Sequence, residues 1–296
     1  MKAAPFAYMR AADVDEACAL LVADDGARVI AGGQTLVPMM AMRLARPTRL
    51  IDINRIAALS YVREQADGVA IGATTRQCTV ERDALVKKRL PLLARTMPFI
   101  GHAATRARGT IGGSLAHADP AAELPLIAMT LDAVMIYRQD GAEAETAARD
   151  FFSGLMTTSL PAGACLTAVR FPVWHGESRL GVGFHEVNAR RSDFAFVAAA
   201  AQVALDESGK AKRIAIGVGA ATDVPLRLAA AEQQLTGGTL EEAKVMEAVR
   251  AALADVEMLS DLHASAEYRR RAAVALAARA IADAKAQALG SKAHAH

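Results

Sequence analysis

The chain has 296 residues, 53% of them hydrophobic, and a formal net charge of +2 from 34 basic and 32 acidic side chains. That length and apolar content can bury a large core and suggest two domains, while the dispersed, near-balanced charge excludes a nucleic-acid-binding stripe or a basic membrane face. No apolar run reaches membrane-spanning length and the first residues lack a signal-peptide core, so a cytoplasmic protein without a transmembrane segment is expected.

Between Asp13 and Ala23 apolar residues recur at Val14, Ala17, Cys18, Leu20 and Leu21, which predicts a helix capped by Asp13. A break at Asp24-Asp25-Gly26 precedes a strand from Arg28 to Ala31, so the chain opens as a strand–helix–strand unit. The strand runs into Gly32-Gly33-Gln34-Thr35 and then the apolar stretch from Val37 to Leu44, stopped by Pro47. Peptide N–H groups at such a turn form a concave donor array, and a following helix adds its positive end, so this loop is a candidate anion site. An ordinary tight turn is the alternative.

Leu50 to Ile53 reads as a further short strand, and Tyr61–Glu64 and Gly68–Gly72 as two strands joined at Ala66-Asp67-Gly68. Thr79 to Arg89 is helical in pattern and Pro91 begins another helix. A second glycine cluster follows at Gly109-Thr110-Ile111-Gly112-Gly113-Ser114, with Glu123 shortly after it. Two such loops could grip a pyrophosphate from both sides while a carboxylate accepts ribose hydroxyls, which points to a dinucleotide; two unrelated turns remain the alternative.

Leu131 to Tyr137 alternates as a strand, the polar stretch Gln139 to Glu145 reads as a turn, and Leu166 to Pro172 as an edge-like strand closed by proline. Trp174 to Ser178 marks the domain boundary. Beyond it lie strand-like runs at Gly181–Val187, Ala195–Leu205 and Arg213–Val218, then alanine-rich helical patterns from Glu241, the longest from Ser265 to Leu289. The C-terminal half therefore reads as a small antiparallel sheet with packed helices. Ser291 to His296 reads as a tail.

Gly217-Val218-Gly219 resembles a nicotinamide-type glycine motif, but Thr222 takes its last position and Pro225 interrupts the required helix, so a strand end and turn is expected. Cys18, Cys78 and Cys165 are far apart in sequence, and His102, His117, His175, His185 and His263 lack ligand spacing, so no metal site is expected on this chain.

With both glycine loops placed, the sequence resembles the FAD-binding medium subunits of molybdenum hydroxylases, of the aerobic carbon monoxide dehydrogenase and xanthine dehydrogenase type. The resemblance spans nearly the whole chain. It rests on Ala31 to Leu36 with Arg43 to Pro47, on Arg108 to Pro120, and more weakly on Ala189 to Phe194 and Ser265 to Arg270. It implies an α+β fold: a two-subdomain FAD-binding domain of the vanillyl-alcohol-oxidase (PCMH) type over residues 1–175, split at about 56, and a C-terminal domain over 176–290 with a three-stranded sheet.

Carried over by position, the implied FAD contacts are Ile30, Ala31, Gly32, Gly33, Gln34, Thr35, Leu36 and Val37 in the first loop, and Thr110, Ile111, Gly112, Gly113 and Ser114 in the second. Ile100 and Gly101 lie alongside, Glu123 near the adenosine end, Leu166 as a wall contact and Phe194 near the isoalloxazine. The implied role is electron transfer. A substrate is hydroxylated at a molybdenum cofactor on a large partner subunit, and electrons pass through two [2Fe–2S] clusters on a small one to FAD here and on to a terminal acceptor, the implied assembly being a dimer of heterotrimers. No side chain of this chain is expected to act as acid, base or nucleophile. A free-standing flavin-dependent oxidoreductase of the same fold is the alternative, and a regulatory protein that kept the fold without flavin is a third. Two departures stand out: His185-Glu186-Val187-Asn188 occupies a region where many relatives carry a lysine, and His102 sits where Asp is common.

Overall fold

A computed structural model describes residues 2–290; the tail expected at 291–296 lies outside the described residues. The first unit is a three-stranded parallel sheet in which Arg49–Asp52 lies between Ala7–Arg10 and Ala27–Ile30. Parallel neighbours need crossover connections. The helices Val14–Val22 and Leu36–Ala41 supply them, and Asp13 caps the first by accepting from Glu16 N at 2.8 Å. Ile30 ends its strand at the carboxyl edge of this sheet, where open α/β sheets present ligand loops.

The second unit is a five-stranded antiparallel sheet ordered Val62–Glu64, Gly68–Gly72, Cys165–Pro172, Val134–Gln139, Ala142–Ala147. Two expectations are corrected here. Cys165–Pro172 is the central strand rather than an edge. Pro172 is tolerated because it is the last residue and pairs only with Gly68, so its missing N–H falls beyond the ladder with Val134–Gln139. The turn after Gln139 is confined to Asp140 and Gly141, both at positive φ (50° and 75°). The polar residues that follow form the edge strand Ala142–Ala147, whose largely exposed side chains hid the alternation. The helical stretch after Thr79 is two helices, Gln77–Arg82 and Ala84–Arg89, divided at Asp83, which accepts from Val86 N at 3.0 Å and so caps the second.

The remaining helices of this unit lie between its second and third strands in sequence, Gly68–Gly72 and Val134–Gln139, and cover one sheet face. Their Leu92, Leu93, Met97, Ile111, Leu115 and Leu124 share a core with Val69, Ile71, Val169 and Phe171. The same core takes in Val182, Phe184, Ala198 and Ala200 of the next sheet, and Phe184 meets Phe99 at a ring separation of 4.8 Å. The C-terminal sheet is thus seated directly on the helices of the second unit.

That sheet has four antiparallel strands rather than three: Leu180–Val187, Val197–Leu205, Ala211–Gly219 and the two-residue Leu226–Arg227. Gly217 and Gly219 lie within a strand, where an added Cβ would meet Thr130 Oγ1 at 1.9 Å or Leu126 Cβ at 3.2 Å. Their glycines admit the helix Glu123–Thr130, not a nucleotide. On the other face the helix Ala266–Ala288 lies so close that a Cβ on Gly181 or Gly183 would sit 1.9 Å from Ala284 O or 2.0 Å from Ala280 O. No helix among the described residues is long and apolar enough to cross a membrane.

Gly183→Ala is therefore expected to destabilise the chain by about 3 kcal/mol, since backbone on both sides must separate. Gly238→Ala, where the nearest atom to the new Cβ is Leu235 O at 3.2 Å, is the control. Urea unfolding followed by circular dichroism measures both; equal midpoints would contradict the close packing.

Candidate functional site

The carboxyl edge of the parallel sheet, the helices of the second unit and the loops of the C-terminal domain enclose one cleft of about 1510 Å³. Its length is set by how the two glycine loops meet. Gly32 lies with its α-carbon against the other loop: a Cβ there would be 2.5 Å from Arg108 O and 2.9 Å from Gly109 Cα. Gly33 has φ +69°, the left-handed region that glycine enters without strain. Asn54 Nδ2 donates to Ala31 O at 2.9 Å. The Arg76 guanidinium donates to Asn54 Oδ1 at 2.8 Å and also to Arg108 O. One arginine thus ties the brace of the first loop to the backbone of the second.

The loops differ in what they can offer. Across Gly32, Gly33, Gln34, Thr35 and Leu36 the main-chain N–H groups meet no acceptor among the described residues. Protein acceptors resume at Val37, whose N–H donates to Gly33 O at 3.1 Å. Such a run of free donors, ending at the start of the helix Leu36–Ala41, is an anion cradle. In the second loop the donors are already engaged. Ile111 N donates to Thr75 O (3.1 Å), Gly112 N to Ala73 O (2.9 Å) and Gly113 N to Thr110 Oγ1 (3.1 Å). A Cβ on Gly112 would meet Ala73 Cβ at 2.5 Å, so this glycine serves close packing of helix on strand. What the second loop turns to the cleft is the exposed Gly113 peptide and the half-buried Ser114 hydroxyl.

The cleft gathers Ile30 to Leu36, Ile100, Gly101, Thr110, Gly112 to Ser114, Glu123, Leu166 and Phe194 along its walls. Two of the expected residues stand apart from it. Ile111 is fully buried in the central core, and Val37 is half exposed on the outer side of its short helix. Ile100 and Gly101 are fixed by Arg106, which donates to their carbonyls at 3.1 and 2.9 Å while its Nε and a second nitrogen pair with Glu81 at 2.8 and 3.0 Å.

Glu123 opens the helix Glu123–Thr130 and is 9% exposed. Burial pushes its carboxyl up to about 7; its own N–H and Arg106 oppose the shift and Asp119 adds to it. Cys165 also lines the wall, and burial, then the neighbouring Cys18, pushes its thiol up to about 12, so it stays protonated.

At the opposite end Phe194 is 69% exposed. Beyond it Phe196 stacks on His263 (5.7 Å, 11°). Arg269, 3% exposed, donates to Ala220 O at 2.7 Å, to Asp261 Oδ2 at 2.6 Å and to Phe196 O. Sequence reasoning singled out none of Asn54, Arg76 or Asp261, and met His263 only as a histidine without ligand spacing. Their partners come from elements distant in the chain, and no local pattern marks a buried brace. Arg269 falls inside the stretch from Ser265 to Arg270, the only sequence signal for it.

These features fit a dinucleotide: a row of free donors for a pyrophosphate, a carboxyl on the wall, an aromatic face at the far end, and more room than the roughly 300–1,000 Å³ of a typical small-ligand pocket. Comparison with known proteins agrees. Residues 4–174 match the FAD binding domain in molybdopterin dehydrogenase, and residues 183–284 the CO dehydrogenase flavoprotein C-terminal domain. The chain belongs to the FAD-binding medium subunits of the molybdenum hydroxylases. It is 36% identical to the 6-hydroxypseudooxynicotine dehydrogenase complex subunit alpha of Paenarthrobacter nicotinovorans, covering 96% of each chain. It is 34% identical to the carbon monoxide dehydrogenase medium chain of Afipia carboxidovorans, over 96% of this chain and 98% of the other. Among solved structures, a chain of quinoline 2-oxidoreductase from Pseudomonas putida 86 superimposes with a TM-score of 0.92 at 33% identity, covering 98% of this chain and 100% of that one. This chain is accordingly an FAD-binding component of an oxidoreductase complex.

Gly32→Ala is expected to force the loops apart and misalign the free donors. Loss of one hydrogen bond to a charged group costs about 1.5–3 kcal/mol, so FAD affinity should fall by about tenfold to a hundredfold. Flavin fluorescence titration of the folded variant checks this; an unchanged affinity would remove the first loop from the binding site.

Proposed function

We propose that this chain is the electron-transfer subunit of a molybdenum-containing hydroxylase or dehydrogenase. It receives electrons from [2Fe–2S] clusters on a small partner subunit and passes them through FAD to a terminal acceptor, while the substrate is hydroxylated at a molybdenum cofactor on a large partner. The observation that carries this reading is the unpaired donor row from Gly32 to Leu36 at one end of a cleft whose other end opens beside the exposed Phe194. Bound FAD supplies a carrier that exchanges electrons with a cluster and with an acceptor.

The chain's own residues bind and orient. The first loop neutralises the pyrophosphate with peptide dipoles, and Ser114 adds a hydroxyl donor from the opposite side. Arg76 and Asn54 hold the loops in register, and Glu123 offers an acceptor to the nucleoside. Arg269 anchors the C-terminal helix to the carbonyls of Phe196 and Ala220, which keeps the wall behind Phe194 in place. Phe194 would offer an aromatic face beside the flavin. Assembly as a dimer of heterotrimers in the cytoplasm belongs to the same proposal.

The purified chain should bind FAD stoichiometrically and FMN about a hundredfold more weakly, because FMN leaves two or more charge-assisted bonds of the first loop unmade. Equal affinities would sink the two-loop reading. Isolation from the native source should bring down a large and a small subunit with molybdenum and iron. A lone, metal-free flavoprotein that turns over substrate would establish the free-standing oxidoreductase instead.

A further inference from the structure

Gln77 opens the short helix Gln77–Arg82, and its main-chain N–H donates to Gly109 O at 2.9 Å. That bond ties the residue to the second loop. A Cβ on Gly109 would lie 2.5 Å from Gln77 Oε1 and 2.9 Å from its Cδ, so the side-chain amide rests on the Gly109 α-carbon. The first loop meets the same glycine, since a Cβ on Gly32 would be 2.9 Å from Gly109 Cα. Gly109 is thus a neighbour of both, and it brings the amide close to the start of the free donor row. Gln77, Gly109 and Gly32 all border the cleft.

The amide has no protein partner. Gln77 is 5% exposed, its Oε1 is sealed from solvent and meets no donor, and its Nε2 meets no acceptor among the described residues. A primary amide carries both donors and an acceptor, and burying them unpaired costs free energy that an apolar side chain of the same shape would not. Packing alone therefore does not account for a glutamine here. Of the two ends Nε2 is the one that is not sealed, and the space that Gln77 borders is the cleft. The nearby cations are committed elsewhere: Arg76 is held by Asn54 and Arg108 O, and Arg106 by Glu81 and two carbonyls. A neutral donor suits such a position, because it meets an anion without repelling the guanidinium of Arg76, the residue before it.

We infer that Gln77 is a further cofactor-binding residue, whose side-chain amide donates from Nε2 to a diphosphate oxygen where the two glycine loops meet. The inference rests on FAD occupying this cleft. The first loop offers the diphosphate its peptide N–H groups and Ser114 a hydroxyl; Gln77 adds a side-chain donor from beside Gly109. The partner that the buried amide lacks within the protein is then the ligand.

The test is titration of the full chain, freed of flavin, with FAD and with ADP, alongside thermal unfolding without ligand, for the wild type, Gln77→Met and Gln77→Glu. Methionine keeps the length and bulk of the side chain and removes the donor. Affinity of Gln77→Met for both ligands should fall about tenfold to a hundredfold, the effect of one hydrogen bond to a charged group. Its melting midpoint should equal or exceed that of the wild type, because an unpaired acceptor has left the interior. Gln77→Glu should bind both ligands more weakly still at alkaline pH, its carboxylate repelling the diphosphate. Unchanged affinity in Gln77→Met would overturn the inference. So would a midpoint that falls together with the affinity, which would make Gln77 a prop for Gly109, and so would a fall for FAD without one for ADP, which would move the contact off the diphosphate. A wild-type chain that binds ADP and not FAD would overturn the flavin reading and leave the ADP titration to decide Gln77; binding of neither would overturn both.

Discussion

The site depends on one contact, the α-carbon of Gly32 against the Arg108–Gly109 peptide. It joins loops that belong to different sheets, and any side chain at Gly32 would prise them apart. The contact works because the second loop is rigid in its own right. Its first-turn donors are satisfied by Ala73, Thr75 and Thr110, so it behaves as a fixed wall. The first loop is held against that wall with its own donors free. Five consecutive peptide N–H groups without protein acceptors would be costly if sealed from both water and ligand. Lining an open cleft, they stay within reach of water or of an anion.

At the far end of the cleft small residues set the stage for the hydrogen bonds that hold it. The strand Val197–Leu205 is buried along its whole length and consists mostly of alanine and valine. With Gly181 and Gly183 on the adjacent strand, it lets the helix Ala266–Ala288 settle almost onto the sheet backbone. That depth brings Arg269, near the helix N-terminus, within reach of the Phe196 and Ala220 carbonyls. The alanine-rich composition of the C-terminal third thus has a direct consequence for the wall behind Phe194.

Much of this was legible in the sequence, and the failures share a cause. Both glycine loops could be read because a strand end, a Gly-Gly pair and a hydroxyl are local features. Their different chemistry could not, since Ile111 N and Gly112 N are satisfied by carbonyls more than thirty positions earlier in the chain. The central place of Cys165–Pro172 was masked by its terminal proline. The edge strand Ala142–Ala147 was masked by polar side chains on an exposed border, where alternation carries no burial signal. Asn54 and Arg76 look like ordinary polar residues until the fold brings Ala31 and Arg108 to them.

The electrostatics of the cleft follow from the same economy. Arg76, Arg106 and Arg269 all lie on or beside its walls, yet each already donates to protein carbonyls, and each is also held by an acceptor side chain. They shape the cleft as braces, and the main-chain donors left on offer to an anion are the free peptide dipoles of the first loop, whose positions are set by the backbone. A dipole array cannot swing away as a lysine side chain can, and it adds no net charge that must be neutralised when the cleft is empty. Arg28 and the exposed Arg46 also border the cleft, and each donates to backbone carbonyls, Arg28 to Asp25 O and Ala27 O and Arg46 to Arg43 O. The grip at the loops is therefore geometric and uses groups that do not titrate, whereas titratable side chains border the cleft elsewhere along its walls, among them His102, His117, Asp119, Glu123 and His263.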